Sequence, residues 1–315
     1  MANDSELFRT ASELQATGYH RDGANWVRGT EGNDPRRYVP FYEAKMITIY
    51  DHRYGDFSLA KERTDADYRE IPSPPSDLLS DPNFEVTPRY WITEEALTSR
   101  LKEKAWSHQW LLGWRDITNA TNQRTLISCV LPRVACNDKL LLMMPDTDAA
   151  QIGGLYANLC SLTTDFAARQ KVGGTSFKYF TMRQIPILPP NFYTEPRLAF
   201  IIPKVLELTY TSHSLAPFAR DLGHDGPPFA WDEHRRAHLR ADLDAFYARA
   251  YGLTRDELRY ILDPADVKGP DYPSETFRVL KEKEIRQHGE YRTRRLVLEA
   301  WDRMEANGEF TAMGM

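Results

Sequence analysis

The sequence predicts an α/β (α+β) domain that is followed by a mostly helical C-terminal region. Between residues 84 and 190, short runs rich in β-branched and aromatic residues alternate with helical patterns. After residue 190 the composition changes to helix formers whose apolar residues recur at helical spacing. We therefore divide the chain into an N-terminal segment (1–83), an α/β domain (84–190) and a helical C-terminal region (191–315).

The N-terminal segment combines strand-like stretches with a long irregular excursion. A short helix is predicted around residues 5–15, and a strand pair, or a strand that feeds a helix, within 36–54. Residues 58–83 are polar and interrupted by prolines, which block regular elements, so we expect a surface excursion there. Those prolines are Pro72, Pro74, Pro75 and Pro82.

The two later regions have stronger patterns. A single helix is predicted over 151–170, because Leu155, Leu159, Leu162 and Phe166 repeat at helical spacing. Further strands are predicted within 86–92, 110–117, 124–134 and 139–145, and a helix within 94–104. The C-terminal helices are predicted within 197–223, 231–253, 254–263 and 291–307.

Composition places the chain among ordinary globular proteins, with 42% hydrophobic residues and a net charge of -5. No apolar run approaches the roughly eighteen residues of a membrane span, and the N-terminus lacks a signal-peptide pattern. We therefore expect a cytoplasmic protein without membrane contact. The three cysteines match no zinc-binding spacing.

Motifs of catalysis are missing from the sequence. It contains no phosphate-binding loop, dinucleotide fingerprint, nucleophile elbow or H-E-x-x-H motif. His234 and His238 are four residues apart on a predicted helix, but no Glu lies between them to act as a base, so a helix surface is favoured over a metal site. We predict no catalytic residues, no metal and no cofactor in this chain.

A metal-dependent nuclease is one alternative that the residues leave open. Asp34, Glu43 and Lys45 fit the loose D…E-x-K spacing, in which two carboxylates hold a divalent ion and the lysine steadies the attacking water. Glu43 and Lys45 could equally form a surface pair on a strand.

Residues 168–190 are positively charged, whereas the chain as a whole has a net negative charge. The segment carries four cations and no acid, so it should attract polyanions. Its glycine pair lets backbone amides approach a phosphate, and the Thr175 hydroxyl adds a donor. Tyr179 could stack on a displaced base or anchor the segment, whereas Phe180 is expected in the core. The predicted DNA-binding residues here are Arg169, Lys171, Gly173, Gly174, Thr175, Lys178, Tyr179 and Arg183.

A second stretch, 114–133, combines arginines with Asn and Gln side chains. These side chains carry the donors and acceptors that match base edges in the major groove. The candidates for base reading are Arg115, Asn119, Asn122, Gln123 and Arg124.

Five blocks of sequence resemble the C-terminal half of large adenine-specific DNA methyltransferases of type IIG-like restriction–modification and DISARM phage-defence systems. The blocks cover 38–54, 110–133, 161–190, 243–263 and 289–304, in the same order. Residues 165–190 are also similar to the end of a target-recognition domain in the specificity subunits of type I restriction enzymes. In those domains an apolar strand ends at a Pro-Pro pair, and a helix follows.

The resemblance implies an α/β target-recognition domain of a bacterial enzyme, with double-stranded DNA and a methyltransferase catalytic domain or subunit as partners. The family's glycine-bearing S-adenosylmethionine motif is missing from this sequence. Its Asn-Pro-Pro-aromatic motif is missing as well, because the residue before Pro189 and Pro190 is Leu188 and not Asn. S-adenosylmethionine is therefore expected on the catalytic partner, and this chain should not methylate DNA by itself.

A protein-interaction module that docks a partner through its C-terminal helix remains the other alternative. Its candidate contacts are Leu296, Leu298, Trp301 and Met304.

Overall fold

A computed structural model of the chain describes residues 5–29, 36–60, 71–273 and 276–315. Contacts between Cα atoms group them into two compact units. Unit 1 comprises residues up to 116, 129–146 and 209–231, and unit 2 comprises 117–128, 147–208 and 232–315. The predicted divisions at residues 83 and 190 do not coincide with the edges of these units, and as domain boundaries they stay a prediction.

The element order confirms the predicted class, with strands in the first half and helices towards the C-terminus. The strands are β1 (His20–Asp22), β2 (Asn25–Arg28), β3 (Arg36–Tyr42), β4 (Tyr90–Thr93), β5 (Trp110–Arg115), β6 (Ser128–Pro132), β7 (Ala135–Cys136) and β8 (Leu140–Met143). The α-helices are α1 (Ala11–Ala16), α2 (Ser76–Leu79), α3 (Glu94–Glu103), α4 (Ala149–Cys160), α5 (Leu162–Lys171), α6 (Tyr179–Met182), α7 (Glu195–Thr209), α8 (Ala216–Asp221), α9 (Glu233–Ala250), α10 (Arg255–Leu262), α11 (Pro264–Lys268), α12 (Arg278–His288), α13 (Arg292–Ala306) and α14 (Glu309–Ala312). Short 3₁₀ helices lie at Ser5–Leu7, Ala44–Met46, Phe57–Leu59, Pro190–Phe192 and His213–Leu215.

Unit 1 is built on two sheets. Strands β1 to β4 pair in chain order as an antiparallel ladder, and β7 pairs with β3 in parallel. The second sheet has the order β6-β5-β8. Strand β5 is buried along most of its length, as the continuous apolar pattern WLLGW predicts for a central strand.

A buried arginine holds the proline-rich excursion in unit 1. The Arg53 guanidinium donates hydrogen bonds to the carbonyls of Leu79 (2.8 Å), Asp81 (3.0 Å) and Phe84 (3.0 Å). It also donates to the carbonyl of Thr211 at 3.1 Å. Because a guanidinium carries five donors in a rigid fork, this one side chain joins backbone segments that have no sheet pairing. Residues 61–70 of the predicted excursion lie outside the described residues.

Unit 2 contains the long C-terminal helices. Helix α13 packs along α9. Its buried side chains recur every three or four residues, as an amphipathic helix requires. They are Leu296, Val297, Ala300, Trp301 and Met304.

Several sequence-based expectations need correction. The helix predicted over 151–170 is two helices, because Ser161 has an extended backbone and its hydroxyl caps α5 by accepting a hydrogen bond from the Thr164 amide. Of the two alternatives for 36–54, the structure has the strand that feeds a helix, since β3 leads into the 3₁₀ helix Ala44–Met46, and residues 48 and 51 form only an isolated bridge. The segment before Pro189, which the resemblance implied to be a strand, has no strand pairing in the described chain.

Within the described part of the chain, no helix combines the length and apolar character needed to cross a membrane.

A prediction concerns Gly154 in α4. A Cβ atom at this position would lie 2.5 Å from the Tyr193 ring, which is itself buried. We expect Gly154→Ala to lower the free energy of unfolding by about 1–3 kcal/mol, since overpacking outweighs the gain in helix propensity. Urea denaturation measures this. Gly174→Ala is the control, because a Cβ there has no neighbour within 4 Å, and an equal loss in both variants would contradict the packing argument.

Candidate nucleic-acid interface

Two stretches that the sequence singled out separately lie side by side in unit 2. The Thr118 amide donates a hydrogen bond to the Thr175 carbonyl at 3.1 Å, and Ile117 and Ser176 form an antiparallel bridge. We call residues 117–124 and 169–183 together the segment pair. Its two halves are about fifty residues apart in the chain, so only tertiary structure brings them together.

An ion pair on α5 organises this arrangement. The Arg169 Nε donates to Asp165 Oδ2 at 2.9 Å, and both side chains are buried. The other carboxylate oxygen, Asp165 Oδ1, accepts the backbone amides of Thr125 and Leu126, each at 2.7 Å. Because every charged atom of Asp165 has a donor, its burial is compensated by charge-assisted hydrogen bonds.

The rest of the Arg169 guanidinium holds the facing loop. It donates to the carbonyls of Ala120 (2.7 Å), Asn122 (2.9 Å) and Gln123 (3.0 Å). The centroid of the Phe277 ring lies 4.6 Å from the guanidinium carbon of Arg169. Arg169 is only 7% exposed. A phosphate contact by Arg169 would require these bonds to break. Its position corrects the sequence-based assignment, and we now regard Arg169 as the residue that positions the loop.

Two other arginines of the prediction also point inward. Arg124 in unit 2 is 9% exposed and donates to the Cys160 carbonyl. Arg115 belongs to unit 1, where it donates to the Ile47 carbonyl and lies against the Tyr54 ring. Burial lowers the pKa of Arg115 to about 10, which still leaves it charged at neutral pH. Neither guanidinium is placed to read a base edge.

The amide side chains of the loop divide into two groups. Asn119 Oδ1 accepts from the amide and hydroxyl of Thr121 at 2.8 and 2.9 Å, which closes a local turn. Gln123 Oε1 accepts from Lys283 Nζ at 3.2 Å. Asn122 is exposed, and its side chain makes no hydrogen bond with any described residue. Of the residues predicted to read bases, Asn122 is therefore the best-placed candidate.

The outward-facing cations are Lys171 and Arg183. Both are exposed, and neither makes an ion pair with the described part of the chain. Lys178 is half-buried. The sequence from Phe166 to Thr194 contains no Asp or Glu that could neutralise them.

The backbone next to these cations is open. Gly173, Gly174 and Thr175 are exposed, and a Cβ atom at either glycine would have no neighbour within 4 Å. A phosphate could thus approach the backbone closely at this point.

The aromatic residues of the segment pair are distributed differently from the expectation. Phe177 is fully buried, together with Thr181 and Ile185, at a spacing of four residues. Phe180 lies on the opposite side and is 67% exposed, so its prediction as a core residue is wrong. The spacing 177, 181, 185 was a sequence signal that could have revealed this. Tyr179, for which stacking and anchoring are both predicted as alternatives, is 47% exposed.

The proposed nuclease residues are arranged as ion pairs. Glu43 Oε1 lies 2.8 Å from Arg89 Nε, and Glu43 Oε2 lies 3.5 Å from Lys45 Nζ. Both carboxylate oxygens therefore face cations, which compete with a metal ion for the same lone pairs. Asp34 lies outside the described residues.

A histidine, two serines and a glutamate gather in unit 1, which the sequence had not suggested. The Nε2 atom of His52 lies 3.1 Å from Ser214 Oγ, 3.2 Å from Ser212 Oγ and 3.5 Å from Glu85 Oε2. Burial raises the pKa of Glu85, but hydrogen bonding to His52 and the serines outweighs it and leaves the pKa below its ordinary value. A serine hydrolase needs its acid on the other ring nitrogen. The network therefore does not have the geometry of a Ser-His-acid triad.

Metal ligands are not clustered in the described ranges, where no group of three or more His, Cys, Asp or Glu side chains could hold an ion. His234 and His238 are exposed, with ring centroids 4.7 Å apart. Burial, followed by the His234 and Arg292 charges, lowers the pKa of His238.

Comparison with family models, curated protein sequences and solved structures finds no match to this chain.

The first prediction from this geometry concerns Arg169. Arg169→Met removes the guanidinium and leaves the Asp165 carboxylate buried without its cation, so we expect a loss of about 3–5 kcal/mol in the free energy of unfolding. Hydrogen exchange at the Thr125 and Leu126 amides should also accelerate. Arg183→Met is the matched control, since an exposed residue should change stability by about 0.5 kcal/mol or less. Similar losses in both variants would contradict a special role of Arg169.

A second prediction concerns pH. Burial raises the pKa of Asp244 to about 6, against an ordinary value of 3.8, and the Arg124 charge and the hydrogen bond from the Leu162 amide only partly oppose it. The native state then binds more protons than the unfolded state between about pH 4 and pH 6, so this group makes stability fall as the pH rises through that window. Asp244→Asn should flatten this part of the stability curve, measured by urea denaturation across the window. An unchanged slope would contradict the assignment.

Proposed function

We propose that this chain is a DNA-binding target-recognition module of an adenine-specific DNA methyltransferase, and that it works with a catalytic domain or subunit that holds S-adenosylmethionine. The observation that carries the proposal is the segment pair. Two stretches whose composition suits phosphate and base contacts are adjacent in unit 2, joined by the Thr118–Thr175 hydrogen bond and by Arg169.

The exposed groups of the segment pair contact different parts of the DNA. Lys171 and Arg183 contact the phosphate backbone, where positive charge supplies affinity without reading sequence. Gly173 and Gly174 allow the backbone to approach the same strand, and the Thr175 hydroxyl donates a further hydrogen bond. Asn122 reads a base edge, since its amide can bond an adenine bidentately.

The buried arginines support this role indirectly. Base reading requires side chains held within a fraction of an ångström, and a loop without regular structure cannot supply that rigidity by itself. Arg169 donates to the carbonyls of three loop residues, and Asp165 accepts from two backbone amides just beyond them. The loop that carries Asn122 is thereby attached to α5 by two neighbouring side chains.

Dependence on a catalytic partner follows from the missing methyl-transfer motifs. A base-modifying enzyme must extrude its target base, so duplex-gripping residues can belong to a module apart from the reaction pocket. In such a bacterial restriction–modification or phage-defence system, the chain would act on DNA in the cytoplasm.

Neither alternative is favoured by a specific contact. Of the four candidates for docking a partner, Leu296, Trp301 and Met304 are buried inside unit 2. The fourth, Leu298, is half-buried. The Glu43 carboxylate is already paired with Arg89 and Lys45.

The test of the proposal is duplex DNA binding by the full chain. In Lys171→Glu/Arg183→Glu, affinity should fall about ten- to a hundredfold, and the slope of log affinity against log salt should decrease by about 2, because each cation releases roughly one counterion. Fluorescence anisotropy at several salt concentrations measures both quantities.

The control is Lys102→Glu/Lys104→Glu, which makes the same charge change at exposed positions of unit 1. Unchanged binding in the first double variant, or an equal loss in the control, would refute the phosphate assignment.

A further inference from the structure

One tight turn of unit 2 presents an exposed aromatic ring between cations. Residues 178–184, which we call the aromatic turn, contain α6 and close with hydrogen bonds from the Thr181 and Met182 amides to the Lys178 carbonyl and from the Arg183 amide to the Tyr179 carbonyl, each at 3.0 Å. The turn is anchored from below by buried Thr181. Its outer groups are therefore held in defined positions.

Phe180 is unusual among the aromatic residues of the chain. It is 67% exposed, the largest exposure among the large hydrophobic side chains of the described residues, and no other ring or cation of that part of the chain contacts it. Phe177 already anchors this segment in the core, so Phe180 contributes little to folding. Its apolar area remains available to a ligand.

The neighbours of Phe180 favour a nucleic-acid ligand. Arg183 follows it by three residues, which places both side chains on the same side of a helical turn. Tyr179 is 47% exposed beside it, and Lys171 is an exposed cation of the same unit. Aromatic rings that alternate with cations form the surface on which proteins stack unpaired bases while holding the strand's phosphates.

We propose that Phe180, with Tyr179 beside it, stacks on an unpaired base of the bound DNA. This inference rests on the proposed function and deepens it, because it specifies DNA with locally opened base pairs as the preferred ligand. A fully paired duplex buries its base faces in the helical stack and presents only base edges. Lys171 and Arg183 serve paired and opened DNA alike, whereas the Phe180 ring distinguishes between them.

The experiment compares two DNA probes of the same sequence: a fully paired duplex, and a duplex with a short central bubble of mismatched bases. The wild-type chain should bind the bubble probe about tenfold more tightly, the effect of one stacked base. Phe180→Leu keeps an apolar side chain without an aromatic face, and should lose most of that preference while its affinity for the paired duplex and its salt slope stay unchanged. Phe180→Tyr should retain the preference.

Tyr272→Leu is the matched control, because Tyr272 is another exposed aromatic residue of unit 2. It should leave the bubble preference intact. A 2-aminopurine base in the bubble adds a spectroscopic readout, since stacking on Phe180 should quench its fluorescence in the wild type and not in Phe180→Leu.

The outcomes separate this inference from the proposed function. Equal affinity of the wild type for both probes, with salt-dependent binding that is still weakened by Lys171→Glu/Arg183→Glu, would overturn stacking and leave the proposed function standing. Retention of the preference in Phe180→Leu would also overturn it and would assign the ring to apolar contact, as with a protein partner. Binding to neither probe would refute both proposals.

Discussion

The buried pair of Asp165 and Arg169 is the interaction on which the candidate interface depends. The two side chains are one helical turn apart on α5, and each uses its remaining hydrogen-bonding capacity on the backbone of the facing loop. A loop without secondary structure must satisfy its carbonyls and amides in some way when it packs against a helix. Here a single ion pair satisfies five of them, and this attaches the backbone between Ala120 and Leu126 to α5 at five points.

Arginine serves the same purpose in both units. In unit 1, Arg53 donates hydrogen bonds to carbonyls of the proline-rich excursion and to the carbonyl of Thr211. In unit 2, Arg169 binds the carbonyls of the loop in the same way. Prolines and turns leave carbonyls without ladder partners, and the guanidinium provides enough donors at fixed angles to bind several at once. Counting arginines in a basic stretch therefore overstates the charge that is available to a polyanion.

The exposed groups that remain form a coherent set. Lys171 and Arg183 lie outward, the glycine pair leaves the backbone open, and Phe180 adds an aromatic face on a short, closed turn. Charge alone would favour any polyanion, whereas the aromatic ring favours one that has flat, unstacked bases. The interpretation as a DNA-binding module thus depends on few residues, all of them in unit 2.

Composition and periodicity alone determined the class of the fold, the helical C-terminus, and the location of the basic segment, because each depends on local spacing along the chain. The helix break at Ser161 was also a local feature, although the apolar spacing of its neighbours concealed it. Tertiary structure alone decided which cations face outward. Arg169 and Lys171 are indistinguishable by composition, yet the first is buried against Asp165 and three carbonyls, and the second is exposed. Asp165 is a local partner of Arg169, but the three carbonyls lie about fifty residues away, and no pattern within either stretch encodes that distance.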